Sequence, residues 1–376
     1  MLCQRLPPDS VTGAPMQALQ LAEALRQQGD RVHLFTTRPV IGRLPPEPEV
    51  SVLPYLPVTG LRAATRFASA LLASPRIGRA DVVHGHSLSP TVIAYALARR
   101  EGAPPFLVKP SLGGTHEEGE LEKLRRTLPA ALLRRALHGV SAFAVLDDTI
   151  EAELRAVGIA ENRLFRVNNG INRHTFAAGS AMDRARLRRN FDFPADAAVV
   201  LYAGQLSERK GIRELLQAWT ALADQADGAL LLLCGDGPLR EVVRAAQTED
   251  ASVRWLGELP SIAPVLRCAD VLILPSRAES FGNVVAEALS SRVPVAATRV
   301  GIVPELLVPG RNGWVMDEVS TSAVHATLQQ MLAERDRWPA LGAAGPAAVE
   351  HLDFAAVAES YREIYAQLRW RQTHAQ

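Results

Sequence analysis

The chain contains few cysteines, very few lysines and no long apolar run. Its three cysteines, Cys3, Cys234 and Cys268, are isolated and odd in number, which argues against a disulfide framework or a metal cage and suits a reducing compartment. No stretch of about 18 uninterrupted apolar residues is present, so no transmembrane helix is expected. Residues 1–10 carry prolines and no apolar core. We therefore expect no signal peptide and a cytoplasmic protein.

Positive and negative charges nearly cancel, with 41 basic and 40 acidic residues. Residues 1–180 hold 21 Lys and Arg against 16 Asp and Glu, whereas the remainder holds 20 against 24. The basic first half fits either ordinary scatter or peripheral contact with the inner face of an anionic membrane. No basic stripe with interleaved aromatics exists, so no nucleic acid partner is expected. Only three basic residues are lysines, which makes each of them a candidate for a specific role: Lys109, Lys123 and Lys210.

Short apolar runs alternate with amphipathic stretches along nearly all of the 376 residues. Near-continuous apolar runs are typical of parallel strands buried on both faces, and their alternation with helices predicts doubly wound α/β sheets. The length suits two such domains. The predicted strands are Val32–Thr36, Val82–His84, Phe106–Lys109, Ala142–Leu146, Leu164–Asn168, Ala198–Ala203, Leu230–Cys234, Val253–Leu256, Val271–Leu274 and Val293–Ala297.

The region Asn169–Met182 has no hydrophobic period and is interpreted as the interdomain linker. We expect one domain over residues 1–170 and another over 183–353. Only Leu2–Gln4 precede a proline pair, so we also expect the first strand to be stunted or the natural start to lie upstream.

The most informative segment runs from Leu274 to Ala288, from a buried strand through a glycine-containing loop into a helix. A helix start offers free N–H groups and a positive dipole end to a phosphate. In the loop, Glu279 can accept hydrogen bonds from sugar hydroxyls. On the helix, Glu287 can chelate a ribose diol. The alternative is that Glu279 caps the helix and Glu287 lies on a solvated face.

A second site segment, Ala203–Gly211, places Arg209 and Lys210 just ahead of a helix. Two cations at that position would neutralise a departing pyrophosphate, where charge develops as the glycosidic bond breaks. The alternative is a solvated charge pair on a loop.

Together these segments resemble the group 1 glycosyltransferases, glycosyltransferase family 4, of the GT-B fold. The resemblance rests on Glu279-x7-Glu287 within Pro-Ser-x-x-Glu-Ser-Phe-Gly-Asn, and on further pieces in the expected order: Asp81–His86, Val167–Ile171, Gly204–Gly211, Cys234–Pro238 and Gly301–Glu305. It implies two Rossmann-like domains facing across a cleft, with acceptor binding in the first and nucleotide-sugar binding in the second. It also implies that a C-terminal helix, residues 354–376, joins the first domain. One departure is Gln205, where the family often has Arg.

The resemblance assigns site residues one by one. Those predicted to bind the donor are Gly13, Arg209, Lys210, Glu279, Phe281, Gly282, Asn283, Val284 and Glu287. Those predicted to act in transfer are His86, Arg209, Lys210 and Glu279. His86 matches the family's histidine over the donor sugar, with a purely structural histidine as the alternative. Lys109 either faces an anionic acceptor group or caps local carbonyls. No Asp-x-Asp is present to hold a divalent ion, so neither a metal nor another cofactor is expected.

The predicted function is therefore a retaining glycosyltransferase that moves a sugar from a nucleoside-diphosphate sugar to an acceptor hydroxyl. The expected acceptor is a glycan, a lipid-linked molecule or a small molecule, and the expected setting is surface glycan or glycolipid synthesis. The alternatives are a sugar-nucleotide epimerase of the same fold and a non-catalytic glycosyltransferase-like subunit. A nicotinamide dehydrogenase is disfavoured because no Gly-x-Gly-x-x-Gly follows a strand.

Overall fold

The strands form two separate sheets in a computed structural model that describes residues 1–3, 13–36, 49–52, 68–113, 119–194, 196–222 and 228–374. The chain divides into two units. Unit 1 comprises Met1–Gly170 and Phe354–Gln376, and unit 2 comprises Ile171–Asp353.

Unit 1 contains a seven-stranded parallel sheet in the order β3-β2-β1-β4-β5-β6-β7. Its first strand lies inside the sheet, and the chain builds outward from it in one direction before crossing to the other side at β4. The strands are β1 (Leu2–Cys3), β2 (His33–Thr36), β3 (Glu49–Val52), β4 (Val83–His86), β5 (Phe106–Lys109), β6 (Ala142–Val145) and β7 (Leu164–Arg166).

Unit 2 repeats this plan with a six-stranded parallel sheet in the order β10-β9-β8-β11-β12-β13. Here β8 is the first strand, and the crossing falls between β8 and β11. The strands are β8 (Val199–Ala203), β9 (Leu230–Cys234), β10 (Val253–Gly257), β11 (Val271–Leu274), β12 (Val295–Thr298) and β13 (Gly313–Met316).

Helices connect the strands, and several begin at side-chain caps that the sequence encodes. Ser89 accepts from the Val92 amide, and Ser180 forms a reciprocal capping box with Asp183. The helices are α1 (Gly13–Gln27), α2 (Pro75–Gly78), α3 (Pro90–Ala98), α4 (Glu120–Thr127), α5 (Ala130–His138), α6 (Asp148–Ala156), α7 (Ala181–Asn190), α8 (Ile212–Thr220), α9 (Arg240–Glu249), α10 (Ala263–Leu266), α11 (Asn283–Ser290), α12 (Val303–Leu306), α13 (Thr321–Ala333), α14 (Trp338–Ala343), α15 (Gly345–Ala348) and α16 (Phe354–His374).

The ten strands predicted from apolar runs are all present, with small differences at their ends. Of the three other strands that the structure describes, β1 is the short first strand expected near Leu2–Gln4, whereas β3 and β13 were not predicted. β3 is an edge strand with the alternating sequence Glu-Val-Ser-Val, which gives no continuous apolar run. β13 begins at Gly313, where an added Cβ would lie 1.9 Å from the Val295 carbonyl oxygen. Glycine there permits the close approach of β12 and looks like a strand breaker in the sequence alone.

The final helix, α16, belongs to unit 1 and packs beside α1. Tyr361, Ile364 and Leu368 lie in the apolar core on one face of the unit 1 sheet. Each is at most 5% exposed, so this helix contributes to the core of the first unit although it comes last in sequence.

The stretch Leu124–Leu137 carries four arginines among leucines, a pattern that predicts one basic amphipathic helix, but the structure contains two helices, α4 and α5, with Pro129 between them. Proline has no N–H and its ring clashes with the preceding turn, so one helix cannot continue through this position.

Candidate active site

The carboxyl ends of β8 and β11 define the candidate site of unit 2. These strands are neighbours in the sheet, yet the chain leaves β8 toward β9 and reaches β11 by crossing over. Ligands of doubly wound sheets bind beyond the strand ends at such a crossing point. Arg209 and Lys210 follow β8 in a short 3₁₀ turn, Glu208–Lys210, and Glu279 follows β11 in a loop.

Side chains from these two loops meet directly. The Lys210 ammonium donates to Oε1 of Glu279, and the Ser276 hydroxyl donates to the same oxygen at 2.7 Å. Nη1 of Arg209 lies 3.9 Å from Oε2 of Glu279. The exposed fractions of the Glu279, Lys210 and Arg209 side chains are 9%, 12% and 15%. Two cations thus face one carboxylate where little water screens them, which leaves a net positive charge suited to an anionic ligand.

The backbone allows the two loops to approach closely. Gly211, at φ +68°, ends the 3₁₀ turn, and a Cβ at this position would lie 2.1 Å from the carbonyl oxygen of Pro275. Gly282, at φ +86°, precedes the first residue of α11. Both conformations favour glycine because L side chains rarely adopt them. The glycines therefore set the turn beneath Lys210 and the start of α11 beyond Glu279.

The start of α11 brings together the donor-binding residues predicted after Glu279. Phe281 is buried, and its carbonyl accepts from the Ile302 amide at 2.7 Å. Asn283 and Val284 are the first two residues of the helix. The positive dipole end of α11 therefore lies next in the chain to the Glu279 loop, as an anion-binding site requires.

Glu287 lies on α11, eight residues after Glu279, and is partly exposed. Partial withdrawal from water raises the pKa of its carboxyl to about 7. In the part of the chain that the structure describes, no cation forms a salt bridge with it, whereas Glu279 is paired on both oxygens.

In unit 1 the corresponding crossing lies between β1 and β4, and β4 contains His84 and ends at His86. Their rings stack with centroids 4.2 Å apart, and the His84 ring bonds to the Tyr365 hydroxyl at 2.8 Å. Both histidines are buried. Burial holds both pKa values well below the ordinary value, so the rings are uncharged at neutral pH. Burial therefore favours the neutral ring of His86.

Lys109 ends β5 directly beside His86 in register. Its ammonium bonds to the side-chain oxygen of Asn169, and burial lowers its pKa to about 7. The structure thus shows a polar partner for Lys109 from its own unit. Gly13 is the first residue of α1, and the preceding loop, residues 4–12, lies outside the described residues.

Comparison with known proteins explains this arrangement. The sequence profile of the Glycosyltransferase Family 4 domain matches residues 11–175, and that of Glycosyl transferases group 1 matches residues 197–334. The chain belongs to the group 1 glycosyltransferases, family 4.

Similar proteins are found by sequence and by fold. N-acetyl-alpha-D-glucosaminyl L-malate synthase of Bacillus anthracis is 24% identical over 87% of this chain and 86% of its own. Phosphatidyl-myo-inositol mannosyltransferase of Mycobacterium leprae is 26% identical over 94% and 92%. Anabaena HepE, solved in complex with UDP-glucose, shares 18% identity at a TM-score of 0.77 over 97% of this chain and 98% of that one. The GT-B fold predicted from the sequence, with two Rossmann-like parallel-sheet domains, is confirmed.

For this glycosyltransferase, the structure brings Arg209, Lys210 and Glu279 together in unit 2, whereas Gly13, His86 and Lys109 belong to unit 1. Ser276, whose hydroxyl donates to Glu279, was not predicted as a site residue. Its place in the Pro-Ser-x-x-Glu segment is the signal that could have revealed it. Tyr202 was missed as well. Its hydroxyl donates to the Gln205 carbonyl at 2.7 Å, which fixes the loop after β8.

Among the residues that the structure describes, no cluster of three or more His, Cys, Asp or Glu side chains could hold a metal ion. No helix in the described ranges is both long and apolar enough to cross a membrane.

Proposed function

We propose that this glycosyltransferase is a retaining enzyme that uses a nucleoside-diphosphate sugar and acts in the assembly of a surface glycan or glycolipid. The observation that carries the proposal is the contact of Lys210 and Arg209 with Glu279 at the crossing of β8 and β11. Cations there suit the diphosphate, and the carboxylate suits the sugar. The UDP-glucose complex of Anabaena HepE supports a donor of this class.

Donor binding rearranges the contacts among Lys210, Arg209 and Glu279. The diphosphate brings negative charge to Lys210 and Arg209, which weakens the ion pair between Lys210 and Glu279. Ser276 still orients the Glu279 carboxylate, which then accepts hydrogen bonds from sugar hydroxyls. The positive end of α11 faces the phosphates, as helix starts do in many phosphate sites.

The proposed transfer proceeds on one face of the sugar. The bond from the anomeric carbon to the phosphate oxygen breaks, and the acceptor oxygen forms a bond to that carbon from the same side. The acceptor proton passes to the departing phosphate oxygen. Arg209 and Lys210 stabilise the charge that develops on the leaving group, and Glu279 balances the positive charge on the ring. Because the acceptor attacks the face that the phosphate leaves, the anomeric configuration is retained without a covalent enzyme intermediate.

The acceptor is assigned to unit 1. Lys109 remains the predicted acceptor residue. Gly13 remains a predicted donor-binding residue, and His86 is predicted to act in transfer as a neutral ring or through its backbone. The names of the Bacillus anthracis and Mycobacterium leprae relatives indicate chemically different acceptors, malate and a phosphatidyl inositol. The family resemblance therefore supports the reaction class and leaves the acceptor to be identified by assay.

The ionisation of Glu287 gives a prediction for donor binding. A carboxylate that chelates a ribose diol must be ionised, and the pKa of Glu287 in the free protein is about 7. Below that pH, binding must first expel a proton from Glu287; above it, the carboxylate is ready. The dissociation constant for the nucleoside diphosphate should therefore fall as pH rises from 6 to 8. Glu287→Gln should bind more weakly and lose this part of the pH dependence, which calorimetry at several pH values would measure. A wild-type profile identical to that of Glu287→Gln would contradict the role.

The proposed function includes peripheral contact with an anionic membrane surface. Arg125 and Arg126 are exposed on α4 but share Glu122, whereas Arg134 and Arg135 are exposed on α5 without a salt bridge among the described residues. Each basic residue at an anionic surface contributes about 1 kcal/mol. Replacing Arg134 and Arg135 with alanine should therefore weaken sedimentation with phosphatidylglycerol-containing vesicles by roughly 30-fold.

The matched control for this experiment is Arg240→Ala with Arg244→Ala, which removes the same charge from exposed positions on α9. Equal losses in both double variants, or equal binding to neutral phosphatidylcholine vesicles, would contradict a specific basic surface.

The proposed reaction is tested by incubating the protein with a panel of UDP-, GDP- and ADP-sugars. We expect one donor to give nucleotide release that increases with acceptor, and NMR of the product to show the anomeric configuration of the donor. Interconversion of the donor into another nucleotide sugar would favour the epimerase alternative. The absence of binding and turnover with every donor would favour the non-catalytic one.

A further inference from the structure

A second set of contacts, centred on Arg277, joins the loop after β11 to the 3₁₀ turn after β8. This side chain donates from Nη1 to the Glu208 carbonyl at 2.8 Å and from Nη2 to Oε1 of Glu214 at 2.7 Å. Nη1 also lies 3.4 Å from the other Glu214 oxygen. The guanidinium therefore bridges the 3₁₀ turn after β8 and the first turn of α8.

One backbone hydrogen bond and one side-chain hydrogen bond also join the same two loops. The Arg277 amide donates to the Arg209 carbonyl at 2.8 Å, and Nη1 of Arg209 donates to the Ala278 carbonyl at 2.7 Å. The Glu208 carbonyl that Arg277 holds also accepts from the Gly211 amide, which closes the turn carrying Lys210. Arg277 thus contacts the turn on which both site cations stand.

These contacts affect the stability of the fold and the geometry of the site to different extents. The Arg277 side chain is 41% exposed, and exposed ion pairs contribute little to global stability. Catalytic groups, however, must keep their geometry to within about 0.5 Å. Such a pair can therefore matter much more for the geometry of the site than for the stability of the fold.

We propose that Arg277 and Glu214 form a positioning pair that holds the Glu208–Lys210 turn against the Glu279 loop. The inference rests on the proposed function, because it takes Arg209 and Lys210 as the groups that receive the donor diphosphate. Arg277 itself bonds to the turn and to α8 and makes no contact with Glu279 among the described interactions. Its role is to fix the residues that do the binding.

The test compares Arg277→Ala with Arg337→Ala. Arg337 forms an equivalent pair with Glu334 at 2.7 Å in the same unit, with side-chain exposures of 54% and 21% against 41% and 19% for Arg277 and Glu214. It also donates to a backbone carbonyl, that of Gly310. The control therefore removes the same kind of interaction away from the site.

Calorimetric titration with the nucleoside diphosphate of the active donor separates positioning from folding. A positioning role predicts that Arg277→Ala binds at an unchanged stoichiometry near one, with a dissociation constant raised about tenfold, since small misplacements in a site can cost up to about 10²-fold. Arg277→Lys keeps the charge but not the planar fork, so its affinity should lie between those of the wild type and Arg277→Ala. Arg337→Ala should bind like the wild type.

A double variant tests whether Glu214 acts through Arg277. Glu214→Gln should weaken binding only through Arg277, so the Arg277→Ala/Glu214→Gln double variant should bind no more weakly than Arg277→Ala.

Hydrogen exchange of the ligand-free proteins provides an arm that needs no donor. Peptides covering residues 205–211 should exchange faster in Arg277→Ala than in the wild type or Arg337→Ala. Unchanged exchange, unchanged affinity, or a reduced stoichiometry at unchanged affinity would each overturn the positioning role. A wild-type protein that binds no nucleoside diphosphate would instead refute the proposed function, and the exchange result would still show whether Arg277 holds the turn.

Discussion

Replacing Glu279 with glutamine is expected to lower the rate of sugar transfer by about 10²–10³-fold, the loss typical of removing a preorganised electrostatic contact. Glutamine has nearly the same shape and can still accept from Ser276, whose hydroxyl lies 2.7 Å from Oε1. It lacks the charge that would balance the sugar ring in the transition state. The fold should remain intact, as judged by circular dichroism and the melting temperature.

Glu241→Gln is the matched control for this substitution. Glu241 also faces two arginines, with Arg240 at 3.4 Å and Arg244 at 3.0 Å, but it lies on α9 outside the proposed site. Its loss should leave turnover unchanged. Wild-type turnover in a folded Glu279→Gln variant would remove Glu279 from the reaction.

Replacing Lys210 with alanine is expected to weaken nucleoside-diphosphate binding and to raise the activation free energy of transfer by about 3 kcal/mol. This value is at the upper end of the range for charge-assisted hydrogen bonds. The half-buried ammonium lies beside Glu279, so its removal also leaves that carboxylate with a weaker partner, Arg209 at 3.9 Å. Lys210→Arg should not restore full activity, because a planar fork and a compact ammonium occupy different positions. Calorimetry and steady-state kinetics measure both effects.

Arg209→Ala should have an effect of the same sign, since its guanidinium lies on the other side of Glu279. Lys123→Ala, which removes an exposed lysine from α4, is the control. If Lys210→Ala and Arg209→Ala both bind nucleoside diphosphate with wild-type affinity, these two residues do not form the phosphate site.

The sequence was sufficient for the fold because buried parallel strands have a simple signature. β8, β9 and β11 are nearly continuous apolar runs, and the structure buries every residue in them. β3 and β13 lack this signature for local reasons, alternation at an edge and a glycine required by close strand packing. A continuous apolar run identifies a strand that is buried on both faces, but it does not identify an edge strand that is partly exposed.

The site was predictable only where its residues share one segment. The spacing of Glu279 and Glu287 within a strand–loop–helix segment pointed to both residues. The contact of Lys210 with Glu279 spans 69 positions, and so does the bond from Arg277 to the Glu208 carbonyl. Such contacts depend on β8 and β11 being neighbours across the crossing of the sheet, which local sequence does not encode. The deep burial of Lys109 was unpredictable for the same reason, because Asn169 lies 60 positions away.

The proposed donor site is best tested by a crystal structure of the protein with the nucleoside diphosphate of its donor. We expect the two phosphates to lie beyond the carboxyl ends of β8 and β11, in contact with Arg209, Lys210 and the start of α11. We also expect the ribose hydroxyls to lie within hydrogen-bond distance of Glu287. A nucleotide bound elsewhere, with the Lys210–Glu279 contact unchanged, would contradict the proposed site.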